Sequence, residues 1–264
     1  EPIDIIWLTI KCTATAQAVE PLRPFVDKHT VIVCCQNGFG SDQAIHHAFP
    51  DNPIHHAIVG FNVAEVTPNH LRRATEGDFV IDADLAARFN FDFGSDLMPL
   101  QVSADMLASR WAKLQLNLGN AVNAMANVPV KTMLEDLAYR RVIAAVMAEL
   151  IAVTKAKELS LPKVTALPAH WIPSLMTLPN WLYLRLAQTM LAIDPTARAS
   201  MWWDIKNGKQ TEVDFLNGAV VAEGQKLGIP TPANQRLIEL VKQVESGELN
   251  RDWSAVEFAQ RLLD

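Results

Sequence analysis

The chain has 264 residues, half of them hydrophobic and a fifth charged, with a formal net charge of −6. That is enough apolar material for one large domain or two modest ones. The acidic balance argues against a nucleic-acid binder, which normally shows a basic face. The best candidate membrane span, residues 143–153, is short and interrupted by Glu149.

In chain order, residues 3–10 form an almost continuous apolar run, as expected of a strand covered on both faces in an α/β protein. Residues 13–27 carry helical spacing through Ala16, Val19, Leu22 and Val26, and Pro21 and Pro24 are predicted to kink or split that helix. Residues 31–35 read as a second buried strand, and the strand–helix–strand order predicts a right-handed parallel unit. Further strands are predicted at 57–63 and in the short run bounded by Asp78 and Asp82. Cys34 and Cys35, adjacent on a strand, should point to opposite faces. With Cys12 they make an odd number, read as buried small hydrophobes, and fit a reducing, cytoplasmic compartment. His46-His47 and His55-His56 invite a metal reading. Adjacent histidines on a strand point apart, however, and no cysteine or carboxylate cluster completes a tetrahedral set. No metal is expected, and the four are read as surface residues beside a loop containing Pro50 and Pro53.

Gln36-Asn37-Gly38-Phe39-Gly40 follows the second strand directly. Open α/β sheets bind ligands outside the carboxyl ends of their strands, so Lys11 and Asn37 are predicted to face one crevice. Gly38 and Gly40 supply part of a dinucleotide fingerprint, but Gln43 stands at the third glycine position and no acidic partner lies suitably downstream. The stretch is read instead as a turn that lets backbone approach a ligand.

Beyond residue 102 strand signals stop and everything reads as helix, which predicts a sheet domain over 1–102 and an all-helical domain over 103–264. The first long helix, expected over 105–126, places Leu107, Trp111, Leu114, Leu118, Val122 and Met125 on one stripe. Lys113, Asn117 and Asn120 form a separate polar stripe. A lysine on so apolar a helix is costly unless it has partners or a task; the plain alternative is a side chain that snorkels to the surface. Trp202-Trp203 suits either core packing or the lining of a cleft. Asn207-Gly208 is a turn signal, and Thr211-Glu212-Val213-Asp214 fits a helix start, with Thr211 capping and Asp214 reaching back. Glu212 would then occupy the first helical position, where the helix dipole favours its ionised form, with or without a further role. Gly228 is predicted to end that helix.

Together these stretches resemble the ketopantoate reductase family. The resemblance rests on Asp4-Ile5-Ile6 through Lys11, on Gln36-Asn37-Gly38-x-Gly40, and on Trp111-Ala112-Lys113-Leu114-x-x-Asn117. It continues through Ser200-Met201-x-x-Asp204, Gly208, Thr211-Glu212-x-Asp214-x-x-Asn217-Gly218 and Gly228-Ile229-x-Thr231-Pro232-x-Asn234. It implies a Rossmann-like parallel-sheet domain followed by an all-helical C-terminal domain, and NADPH-dependent reduction of a 2-oxo acid, 2-dehydropantoate, to a 2-hydroxy acid in pantothenate and coenzyme A synthesis. On this resemblance Lys113 is the catalytic lysine that protonates the carbonyl oxygen. Asn117 and Ser200 bind substrate, Glu212 lies near cofactor and lysine, and Asn37 and Lys11 lie close to the nicotinamide ribose and the substrate. It further implies a monomer or homodimer with a small-molecule substrate and no nucleic-acid or membrane partner.

Two departures stand out. The family's second helix asparagine falls eight residues after the lysine, where this chain has Ala121; Asn120, angularly closer to Lys113, is expected to substitute. Family members also open with a strand, a Gly-x-Gly-x-x-Gly turn and a helix that takes the pyrophosphate, whereas this chain starts at what looks like the third family strand. The expectation is a truncated chain that binds NADPH poorly and turns over slowly. Two other readings stay open: an oxidoreductase acting on another 2-oxo acid, and a non-catalytic helical binding or dimerisation module.

Overall fold

The computed structural model describes residues 3–89, 91, 96, 98–163, 165, 167–188 and 191–264. Backbone packing divides the chain into two compact units, Glu1–Lys113 and Leu114–Asp264.

The first unit is built on a five-stranded sheet of β1 (Ile5–Leu8), β2 (Val31–Cys34), β3 (Ile54–Val59), β6 (Phe79–Asp82) and β7 (Leu100–Ser103), in that spatial order. The pairs β1–β2, β2–β3 and β6–β7 are parallel, with Trp7 opposite Val33 and Phe79 opposite Leu100. The pair β3–β6 is antiparallel. Residues pointing one way (Val31, Val33, Cys35, Ala57, Ile81) pack with Leu85, Trp7 and Phe91. Those pointing the other way (Leu8, Ile32, Cys34) pack with Val19, Ile45 and Phe49. Both faces are therefore covered, which is why these strands read as apolar runs rather than alternating ones. Cys34 and Cys35 fall in opposite layers, and burial pushes both thiols up to about 12, so they are protonated at neutral pH.

Helix α1 (Thr15–Leu22) gives way to a 3-10 turn at Arg23–Phe25, a split that follows from Pro24 having no N–H to donate. Helices α2 (Gln43–Ala48) and α3 (Ala83–Arg88) complete the layers. The strand expected over 57–63 runs instead from Ile54 to Val59, and Val63 opens a separate hairpin, β4 (Val63–Thr67) with β5 (His70–Arg73). The chain leaves the sheet at Gly60, whose N–H donates to the Asp78 carbonyl at 2.9 Å. A Cβ on Gly60 would lie 2.5 Å from that carbonyl oxygen, so no larger residue fits where the two backbones meet.

After β7 the described elements are all helical. The single helix expected over 105–126 is two: α4 (Met106–Asn117) and α5 (Gly119–Ala126). Leu118 between them keeps helical dihedrals, and its N–H still donates to the Leu114 carbonyl at 3.0 Å. A single residue thus separates the two helices, at the position preceding the poor helix former Gly119.

In the second unit α6 (Val130–Glu135) leads into α7 (Leu137–Ala156), capped by the Asp136 carboxylate accepting from the Ala138 N–H at 2.7 Å. Short helices α8 (Ile172–Met176), α9 (Asn180–Leu186) and α10 (Ser200–Lys206) follow, then α11 (Asn217–Leu227), α12 (Pro232–Glu245) and α13 (Ala255–Leu263). Val142, Val146 and Leu150 of α7 are buried with Leu237 and Val241 of α12 and Phe258 of α13. No helix of the described residues is long and apolar enough to cross a membrane.

Candidate active site

In the first unit the chemistry-bearing residues gather at the carboxyl ends of β1 and β2. Lys11 lies three residues past β1 and Asn37 three past β2; both are exposed. The two loops are joined: the Cys12 thiol donates to the Asn37 carbonyl at 3.1 Å, and Gln36 Nε2 donates to Thr15 Oγ1 at 3.3 Å. The predicted crevice residues are thus carried on adjacent, cross-linked loops. Gly38 (φ 75°) and Gly40 (φ 94°) hold the left-handed conformation that glycine adopts without strain. No atom lies within 4 Å of the direction a Gly40 Cβ would take, so this turn presents open backbone.

A network that the sequence reading missed fixes the turn. Arg110 of α4 donates through Nη2 to the Gly38 carbonyl at 3.0 Å, and its guanidinium lies 4.3 Å over the Phe39 ring. Phe39 in turn stacks on Trp111 at 4.6 Å between centroids. Behind Arg110, at 3.9 Å, sits Asp42, whose carboxylate accepts from His56 Nε2 at 2.7 Å. That bond, with the Arg110 charge adding to it, lowers the Asp42 carboxyl to about 2. Burial lowers the His56 pKa despite the carboxylate, so at neutral pH the ring is uncharged and donates its Nε2 proton. The signal was available: Arg110 lies three residues before Lys113 and extends the polar stripe one turn towards the helix start.

The histidines are accordingly not all surface residues. His46 and His47 are exposed on α2, but His55 and His56 lie within β3, half-buried and each on a carboxylate; His55 Nδ1 is 2.9 Å from Asp82. A strand puts neighbouring side chains on opposite faces, and each face here supplies an aspartate.

Lys113, one turn beyond Arg110, is partly buried, and burial lowers its pKa. Among the described residues its ammonium has no hydrogen-bond or ion-pair partner, so nothing offsets the desolvation. Asn117 is partly buried one turn further along α4. Asn120 is partly buried on α5, and Ala121 is fully buried.

In the second unit Ser200 is exposed as the first residue of α10. Trp202 belongs to the core: it is buried, its Nε1 donates to Asn127 Oδ1 at 2.8 Å, and Arg198 lies 4.1 Å over its ring. Trp203 is half exposed. The Thr211 hydroxyl does accept from the Val213 N–H at 3.3 Å, as a cap would, but the helix expected to start there is not formed. Glu212 is partly buried, and its carbonyl accepts from the N–H groups of Phe215 and Leu216 in an isolated turn, while α11 begins at Asn217. Asp214 does not reach back; it pairs with Lys242 at 2.7 Å. The cause is tertiary. Asn217 is fully buried with its Nδ2 donating to Asn234 Oδ1 at 2.9 Å, and the backbone must break at Leu216 to bring it there. Asn234 also donates to Glu149 and to the Val146 carbonyl, and Glu149 accepts from the N–H groups of Ala233 and Asn234 at the start of α12. The helix does stop at Gly228 (φ 68°), as its sequence predicts.

Among the described residues no group of three or more histidine, cysteine, aspartate or glutamate side chains is placed to hold a metal ion. A nicotinamide cofactor is a different matter. The open turn at 36–40, at the carboxyl end of the sheet and with two residues in positive φ, suits the close approach of a ribose to backbone.

Comparison with known proteins agrees with this geometry. Residues 1–84 match the family model of ketopantoate reductase PanE/ApbA, and residues 105–245 match that of the ketopantoate reductase PanE/ApbA C terminal. The chain is 27% identical over 254 residues to a 2-dehydropantoate 2-reductase of Aquifex aeolicus, covering 92% of this chain and 76% of that protein. It is 24% identical over 249 residues to the one from Vibrio cholerae, covering 92% and 78%. Among solved structures, a PanE/ApbA family ketopantoate reductase from Ralstonia eutropha superposes with a TM-score of 0.72 at 28% identity, over 93% of this chain and 76% of that one. D-mandelate dehydrogenase in ternary complex with NADH and anilino(oxo)acetate shares the fold, with a TM-score of 0.74 at 19% identity over 94% and 78%. With a sheet unit, a helical unit and family matches to both, the chain belongs to the ketopantoate reductase family.

Proposed function

We propose that the protein reduces 2-dehydropantoate to pantoate with NADPH, the step that feeds pantothenate and coenzyme A synthesis, in the cytoplasm and as a monomer or homodimer. Residues 1–102 serve on this reading as the partial dinucleotide-binding domain and 103–264 as the helical substrate domain. The observation that carries it is Lys113: a partly buried ammonium with no partner among the described residues, one turn from Asn117, at the family's lysine position.

When bound, the reduced nicotinamide supplies the hydride that reaches the carbonyl carbon. The chain's own part is to hold the 2-oxo acid and protonate its oxygen. Lys113 Nζ gives a proton to that oxygen as negative charge develops on it. Burial makes the ammonium a stronger acid than a free lysine, which favours that transfer. Asn117, Asn120 and Ser200 provide amide and hydroxyl groups for the substrate's hydroxyl and carboxylate ends. Asn37 and Lys11 meet the nicotinamide ribose side, and Glu212 accompanies cofactor and lysine.

The test is NADPH consumption with 2-dehydropantoate, followed by loss of the reduced nicotinamide's absorbance. Lys113→Ala is expected to lower kcat by about 10²–10⁴-fold, the usual contribution of a positioned general acid. Because the Lys113 pKa is lowered, activity should fall as pH rises through a value below the ordinary lysine pKa of about 10.4. Unchanged turnover in Lys113→Ala, or no turnover of 2-dehydropantoate at any pH, overturns the proposal.

A further inference from the structure

The helical unit contains a cavity of about 770 Å³ bounded by α5, α6, α7 and α8, with Thr165, Leu167 and Leu178. Its walls are overwhelmingly apolar, including Met133, Ile143, Met147, Ile172 and Leu175. Well-packed interiors leave few voids larger than a water molecule, and an engineered void of about 150 Å³ with such walls already binds benzene. Water gains little here. Asn123, at the wall, is already satisfied by the Val128 carbonyl and the Ala199 N–H, and Thr165 Oγ1 bonds to the Leu167 backbone.

Three buried polar side chains brace the elements around the cavity. Gln115 Nε2 donates to the Ala169 carbonyl at 2.7 Å, tying the 3-10 turn at Ala169–Trp171. Asn123 Oδ1 accepts from the Ala199 N–H at 2.9 Å and fixes the start of α10. Arg140, fully buried 3.9 Å over the Tyr183 ring, donates to the Leu178 carbonyl at 3.1 Å and to Asn180 Oδ1 at 2.5 Å. Collapse would break these bonds and leave a buried guanidinium and two buried amides unsatisfied, each at a cost larger than one hydrogen bond gains. Trp171 and Leu186, 58% and 60% exposed, line the cavity as well as the surface and so form its mouth. Asn120 is the lining amide with no hydrogen-bond partner among the described residues, and it offers two donors and an acceptor.

We propose that this cavity is a binding pocket for a small molecule with an apolar body and one oxygen-bearing end, such as a medium-chain or aryl-substituted carboxylic acid. The body lies among Met133, Met147 and Ile172, and the oxygen end accepts from Asn120. The size falls within the range of about 300–1,000 Å³ usual for small-molecule sites, as does the pattern of apolar walls with few polar groups. The pocket shares Asn120 with the proposed substrate site, so the proposal rests on the reductase reading; its test needs neither cofactor nor 2-oxo acid and fails separately from that reading.

Octanoate and phenylbutyrate, titrated separately into the whole protein without NADPH, provide the test by calorimetry and by tryptophan fluorescence. The expected result is saturable one-to-one binding of at least one probe with Kd at or below about 100 µM, within reach of ligands of this size. Leu134→Trp, which fills the cavity from its edge, should weaken binding at least tenfold; Met147→Trp should do the same from the interior. Asn120→Leu should weaken the carboxylates at least fivefold and leave the affinity for octane-like apolar probes unchanged. The absence of saturable binding by either probe overturns the proposal. So does binding that Leu134→Trp, checked for an unchanged melting temperature, leaves intact. Equally decisive against it would be a dimer, seen in sedimentation and lost in Trp171→Ala, that excludes both probes.

Discussion

The turn at 36–40 and the turn at 211–217 are both proposed to carry reductase residues, yet they are anchored by opposite means. The first is fixed by a chain of charge and near-charge: His56 donates to the Asp42 carboxylate, Asp42 faces Arg110, and Arg110 donates to the Gly38 carbonyl. The second is centred on a neutral amide pair, Asn217 with Asn234 inside the helical core, with carboxylates around it: Glu149 accepts from Asn234, Glu245 accepts from the Thr211 N–H, and Asp214 pairs with Lys242. Both solve the same problem, a backbone that must depart from regular structure near a ligand. An ionic anchor responds to pH, because its strength depends on protonation; an amide pair does not titrate. The sheet-side turn should therefore loosen under acid, while the Asn217–Asn234 bond at the centre of the helix-side turn should not.

The largest effect is expected from breaking the amide anchor. Asn234→Ala leaves the Asn217 amide without its partner in the core and takes one of their donors from the Val146 carbonyl and from Glu149. We expect a loss of about 3 kcal/mol, read as a fall in thermal midpoint of several degrees. A shift of less than a degree would mean the amide pair does not hold the turn.

Arg110→Ala comes next. It deprives the Gly38 carbonyl of a donor and Asp42 of a cation, and it uncovers Phe39. A loss of about 2 kcal/mol is expected, with faster hydrogen exchange confined to residues 36–40. Uniform exchange across the sheet would show that Arg110 supports the unit as a whole and not this turn.

The smallest and sharpest test is the pH dependence. With its folded pKa at about 2 and an unfolded value of about 3.9, Asp42 contributes stability that is present above pH ~4 and lost as pH falls towards ~2. Discounted for the solvent that reaches the pair, that contribution is about 1 kcal/mol. His56 adds in the same direction: its folded pKa is lowered, so the folded state resists protonation and loses stability below pH ~6.5. Asp42→Asn should flatten the acid limb of stability below pH ~4, while Asn234→Ala should lower the curve above pH ~4 as well. Parallel curves for wild type and Asp42→Asn would dissolve the contrast between the two anchors.

Much of the fold was legible because the signals were local. The runs at 5–8 and 31–34 announce strands covered on both faces, Pro24 announces the end of α1, and Gly228 announces the end of α11. The isolated polar stripe of Lys113, Asn117 and Asn120 on an otherwise apolar helix is visible in the same way. What escaped depends on residues distant in sequence. His56 reads as a surface residue until β3 brings it to Asp42, and Thr211 reads as a helix cap until the partner of Asn217, 17 residues on, pulls the helix start forward. The division of α4 from α5 at Leu118 is intermediate: Gly119 signals it weakly.

The sequence by itself determined the order of sheet and helices, the main breaks between them and the residue types a carbonyl reduction requires, because backbone propensity, periodicity and motif spacing are properties of neighbouring residues. Tertiary structure alone decided that Lys113 lacks an ionic partner among the described residues, that Arg110 rather than glycine alone holds the turn after β2, and that the helical unit encloses an apolar cavity. Burial and charge pairing are set by which distant side chains arrive at the same place, and no local pattern encodes that meeting.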